Sequence, residues 1–167
     1  MTATIRIFGV DPGLNRCGWG VVEHAGARLS YGGCGVIKPV AQADMGQRLL
    51  SLKTALAQRI GEYACDTVAV EDAFVSVNAA SAMKLGLARA AALLAAAEAG
   101  LSVGEYAPRL VKKAVVGAGG ADKDQVAFMV RRLLPAAGAV SADAADALAV
   151  AITHAHWRNA AKAGSRA

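Results

Sequence analysis

The 167-residue chain is long enough for one full-sized core and too short for two comfortable domains. Hydrophobic residues make up 55%, but alanine inflates that share and aromatics are only 5%. The best membrane candidate, Gly86 to Ala99, is short and carries Arg89 and Glu98, so no stretch is expected to span a bilayer. Lys and Arg total 18 against 13 Asp and Glu; gathering four acids in one site leaves the remaining surface more basic, which suits a polyanion such as DNA or RNA but is also common among ordinary soluble proteins.

The opening MTATIRIFGVD has no basic segment before its apolar run and no small-residue cleavage site, and is expected to be a strand rather than a signal peptide. That strand, Ile5 to Asp11, ends at the turn Pro12-Gly13. Strands Cys17 to His24 and Arg28 to Ile37 complete an antiparallel meander around Ala25-Gly26. The period then becomes helical: Met45, Leu49, Leu52, Leu56 and Ile60 predict a helix from Asp44 to Ala64. A short apolar strand follows from Thr67 to Glu71, then a helix from Asn78 to Gly100 and a fifth strand from Ser102 to Tyr106. Helices are predicted over Pro108 to Val116, Asp122 to Leu134 and Ser141 to Asn159, the second opened by an Asp122/Gln125 capping box. This order implies a mixed five-stranded α/β sheet flanked by helices, in a single domain over 1–160 with a short, basic, disordered tail at 161–167. Cys17, Cys34 and Cys65 form no CxxC pair and are odd in number, which fits a reducing cytoplasm.

Asp11 and Glu71 close two strands at their carboxyl ends, where α/β sheets place their sites. Asp143 and Asp146 are three apart in the opening turns of the last helix and share a face. Singly, each has an ordinary explanation as turn opener, solvated strand end or helix-dipole partner. Together they would repel unless hard cations such as Mg²⁺ or Mn²⁺ neutralised them, and a pair of such ions suits in-line attack on phosphate. Arg109, Lys112 and Lys113 fall on one amphipathic turn, a solvated face or a phosphate-binding one. Lys123, beside Asp122 and Asp124, reads by itself as a surface ion pair of little worth. His154 and His156, at spacing two, do not face one way and are assigned no role. The helix over 78–100 is apolar nearly all round: one stripe holds Met83, Leu87, Ala90, Leu94 and Ala97, the other Leu85, Ala92, Leu93, Ala96 and Ala99. The sheet can cover one side, and a second subunit or further helices of the same chain the other.

The segments VDPGLNRCGWGVV, VEDAF with NAASAMKLGLARA, VKKAVVGAGGADKDQV and ADAADALAVAITHAH resemble, in order and spacing, the motifs of the bacterial RuvC family of Holliday junction resolvases. The resemblance implies an RNase H-like fold and a homodimer that nicks four-way DNA junctions symmetrically with Mg²⁺, two ions per site, Mn²⁺ being a substitute. It implies that Asp11, Glu71, Asp143 and Asp146 hold the metals and that Lys112 and Lys123 act at the scissile phosphate. Phe74 would meet bases near the junction centre, with Arg109 and Lys113 as flanking DNA contacts, and the RuvA–RuvB branch-migration complex would be a partner. The loop Val75-Ser76-Val77 departs from the basic or amide residues the family often carries there. Three rival readings of the sequence are a sugar-kinase-like phosphotransferase, which needs a second such domain; a non-catalytic junction binder, which four acids would weaken; and a less selective nuclease on the same fold.

Overall fold

The computed structural model describes residues 3–73 and 78–164, residues 159–164 by backbone alone. The meander forms as strands β1 (Ile5–Asp11), β2 (Cys17–Ala25) and β3 (Arg28–Ile37). Strand β4 (Thr67–Glu71) runs parallel to β1, and β5 (Val103–Tyr106) parallel to β4, giving the order β3-β2-β1-β4-β5. Helix α1 (Met45–Glu62) crosses from β3 to β4, and α2 (Ala79–Glu98) from β4 to β5. Helices α3 (Pro108–Val116), α4 (Lys123–Leu133) and α5 (Ala142–Gly164) follow, with a short 3-10 turn at Pro135–Ala137.

Alternation along the strands builds two cores. Phe8, Val10, Trp19, Val21, Val68 and Val70 meet Leu52, Leu56 and Ile60 of α1 and the alanines of α2. Ile7, Val22 and Ala69 point the other way, to Val111 and Val115 of α3, Val126 and Val130 of α4, and Leu148 to Ile152 of α5. The capping box at Asp122/Gln125 closes in both directions, and Asn78 caps α2 by accepting from the amides of Ala80 and Ser81. Helix α5 runs to Gly164, past the end expected at Asn159, because its alanines favour continuation until a glycine.

Helix α2 carries apolar residues on both of its faces, and the chain buries one of them. At 20 residues with a mean hydropathy of 1.3 over its apolar window, it is long and apolar enough to cross a membrane, the one such helix among the described residues. It packs on α1 and β4, as a core helix does. Ala88, Ala91, Ala92, Ala95 and Ala96 face inward, whereas Met83 (69% exposed) and Leu94 (60%) stand on the opposite stripe. No described helix of this chain covers that stripe, and Leu49, Leu50, Lys53, Leu87, Ala90, Ala91 and Leu94 line a shallow apolar groove between α1 and α2.

Candidate active site

Strand parity brings the first two acids together. Val10 pairs with Val70, so Asp11 and Glu71 each follow one residue later at the carboxyl ends of parallel neighbours. Asp11 shares its face with Ile7 and Gly9, and Glu71 with Ala69, the face covered by α5. That helix lies unusually close because the strands offer no side chains beneath it. A Cβ at Gly9 would sit 2.1 Å from the Ala147 carbonyl oxygen, one at Gly18 2.0 Å from that of Asp143, and one at Gly20 2.6 Å from Leu148 Cδ2. The glycines therefore set the height of the helix whose first turns carry Asp143 and Asp146, and all four acids meet at one edge of the sheet.

Burial, and after it the neighbouring carboxylates, raise the proton affinities of Asp11, Glu71 and Asp146. The Asp11 carboxyl is pushed up to about 8, first by burial and then by Glu71, Asp146 and Asp143. It shares a hydrogen bond with Glu71, whose own proton affinity is raised by burial and by Asp146 and moderated by Asp11, Lys123 and Lys112. Burial also raises Asp146, against the pull of Lys123, whose Nζ lies 3.5 Å away. Asp143 accepts a 2.6 Å bond from Arg16 Nε. Among the described residues no three His, Cys, Asp or Glu side chains form a ready-made metal cage, and Asp143 and Asp146 each have a cation beside them. The donor chemistry nevertheless suits a hard divalent ion: the cluster offers only carboxylate oxygens, with too few cations to balance them. The adjacent Cys17 is no competing ligand, since burial pushes its thiol up to about 12.

The basic residues divide by position. On α3, Val111 and Val115 are buried, Arg109 and Lys113 lie exposed on the outer face, and Lys112 sits on the flank whose charge reaches Glu71 and Asp146. Lys123 opens α4 beside Asp146, with its side chain 80% exposed. Phe74 and the loop Val75–Val77 lie outside the described residues. His154 is buried core: its ring nitrogens lie 2.8 Å from the Tyr106 hydroxyl and 3.3 Å from Thr67 Oγ1, while His156 is exposed.

Sequence reasoning missed several members of this neighbourhood. Arg16 attaches the turn after β1 to Asp143, and Arg48 Nη2 of α1 donates to the Leu14 carbonyl and to Asn15 Oδ1, both at 2.9 Å. Arginines in a polar turn or on a helix surface carry no distinguishing local pattern. The strand glycines were a usable signal, since glycine inside a strand marks close approach of another backbone.

A mixed sheet in this order, with acids ending two parallel strands and opening a final helix laid across them, is an RNase H-like nuclease fold. Residues 7–154 match the family model described as crossover junction endodeoxyribonuclease RuvC. The chain belongs to the RuvC family. It is 55% identical to the RuvC of Rhodopseudomonas palustris (strain BisA53) over 94% of this chain and 90% of that one. It is 54% identical to the RuvC of Maricaulis maris (strain MCS10) over the full length of both. Among solved structures it resembles T. thermophilus RuvC in complex with Holliday junction substrate, with a TM-score of 0.85, 35% identity, and coverage of 94% and 96%.

Proposed function

We propose that this chain, one domain over 1–160, is an endonuclease that resolves four-way DNA junctions in recombination and repair, using Mg²⁺ held by Asp11, Glu71, Asp143 and Asp146. The observation carrying the reading is the meeting of these four carboxylates at one sheet edge in a member of a junction-cutting family. Two ions per site, with Mn²⁺ as a substitute, match the donor set. When bound, such ions activate a water and stabilise the leaving oxygen of a phosphodiester. The protein's own part is positioning and charge. The sheet fixes Asp11 and Glu71 through the β1–β4 ladder, and α5 delivers Asp143 and Asp146. Lys112 and Lys123 add positive charge beside the acids, Lys123 at the reacting phosphate and Lys112 along the backbone. Arg109 and Lys113, on the outer face of α3, take flanking phosphates. Phe74 is proposed to stack on a base at the junction centre.

A homodimer fits this reading: the open stripe of α2 and the groove beside it give a second copy an apolar seat. A two-fold axis would set two sites on two strands of like polarity. The family resemblance extends the partners to RuvA–RuvB, and the three free cysteines agree with a cytoplasmic setting. The test is nicking of a synthetic four-way junction, duplex and single strand with Mg²⁺, Mn²⁺ or neither. Symmetric, metal-dependent cuts confined to the junction are expected. Binding without cutting in both metals would leave a junction-binding protein, and equal cutting of duplex a general nuclease.

A further inference from the structure

Asp143 already has a partner. Arg16 Nε donates to its Oδ2 at 2.6 Å, the shorter of the two contacts between a cation and the acid cluster. Neither end of this pair is loose. The turn that presents Arg16 is closed tightly at Gly13, where a Cβ would stand 2.2 Å from the Arg16 carbonyl oxygen. Arg48 holds the same turn from α1 through Leu14 and Asn15. At the other end, the Asp143 carbonyl is seated against Gly18. A preorganised pair loses less side-chain entropy than two free side chains that must find each other, which is the usual reason exposed ion pairs contribute little. Lys123 differs: it lies 3.5 Å from Asp146 with its side chain 80% exposed, free to swing away.

We propose that Arg16 competes with the divalent cation for Asp143 and so sets the ion concentration at which the site fills. The proposal rests on the reading above that the four carboxylates hold such an ion. A cation that takes Asp143 Oδ2 must displace the guanidinium or share the oxygen with it. The contact is made through a nitrogen of the guanidinium, whose planar fork suits a carboxylate oxygen. The Arg16 side chain is 46% exposed, so once displaced it moves into solvent and leaves no buried charge behind.

The test is Mn²⁺ binding to the full chain without DNA, followed by electron paramagnetic resonance and calorimetry. Arg16→Gln and Arg16→Met, the second keeping the aliphatic stem, should each bind Mn²⁺ roughly two- to fivefold more tightly than the unaltered chain, the range of a moderate ion pair. In an Asp143→Asn background the same changes should have no effect. Equal or weaker binding by both Arg16 variants overturns the proposal. So does equal tightening in both backgrounds, which would mean a long-range charge effect rather than competition for one oxygen. No Mn²⁺ binding by the unaltered chain at millimolar concentration would instead overturn the metal reading, and the proposal with it. Melting curves for both variants identify any loss of fold.

Discussion

The carboxyls of Asp11 and Glu71 stand side by side one residue beyond the Val10–Val70 pair and share a hydrogen bond. Holding Asp11 at about 8, against an ordinary 3.8, has a definite sign for stability. The folded chain binds this proton more tightly than the unfolded one, so the contribution is full below pH 3.8 and is lost as pH rises toward 8. Asp11→Asn should abolish cutting yet raise the melting temperature at pH 8 in chelator by roughly 3–9 °C, equivalent to about 1–3 kcal/mol. Added Mg²⁺ should narrow that gap by stabilising only the unsubstituted protein. Thermal melts from pH 4 to 8 check it; a lower melting temperature for the variant at pH 8 would sink it.

Glycines beneath α5 should be intolerant where those in other helices are not. Gly18→Ala or Gly9→Ala drives a methyl into a helix carbonyl at about 2 Å, which must lift the start of α5. Overpacking of this kind costs about 1–3 kcal/mol, and a site displaced by about an ångström can lose on the order of a hundredfold in rate. Gly86→Ala in α2 meets nothing within 4 Å and should be neutral or stabilising by about 0.5–1 kcal/mol. Melting and nicking measured together on the three variants separate these outcomes.

Positions around α3 and α4 predict different losses for four cations. Arg109→Ala and Lys113→Ala should each lower the salt dependence of junction binding by about one unit and leave turnover at saturating DNA unchanged. Lys112→Ala should do the same and also slow cutting, since its charge reaches Glu71 and Asp146. Lys123→Ala should depress single-turnover rate far more than affinity. Equal losses of rate and affinity in all four would erase the distinction.

Acid should loosen the far end of α5. Burial, followed by Arg158 and His24, lowers His154 from 6.5 to about 4, so its neutral ring belongs to the folded state. A depressed base contributes stability above its unfolded value, and this is lost as pH falls from 6.5 toward 4. His154→Leu should be less stable at pH 7 by about 1–3 kcal/mol, because the Tyr106 hydroxyl loses its ring partner, while Thr67 keeps its bond to the Ser102 carbonyl. It should also show a flatter decline toward pH 4. A parallel decline in both proteins would place the acid sensitivity elsewhere.

The open stripe of α2 gives a test of assembly. Leu94→Glu puts a charge at the centre of that stripe and should yield monomers by light scattering, while the unsubstituted chain scatters as a dimer at micromolar concentration. A monomeric mass for the unsubstituted chain would contradict the homodimer.

Much of this was legible in the sequence for local reasons. Alternation through Ile7, Gly9 and Asp11 and the apolar run into Glu71 place both acids at strand ends, and the Asp122/Gln125 box states where α4 begins. The stripes of α2 were readable as two faces, but which one the chain covers depends on α1 and β4 and only appears once they pack. Arg16 and Asp143 are separated by 127 positions, and nothing local in either names the other. Gly9, Gly18 and Gly20 signal that some backbone comes close, but not that it is a helix more than a hundred residues later.

The division of the four acids between sheet and last helix also bears on when the protein becomes able to cut. Strands β1 and β4, which align Asp11 and Glu71, lie in the first half of the chain, whereas Asp143 and Asp146 come with α5. On the proposed assignment, cutting needs all four acids, so the capacity to cut depends on the docking of the final helix. On the same assignment, a chain cut short before α5, or one whose last helix has not settled on Gly9, Gly18 and Gly20, holds half a site and leaves DNA intact.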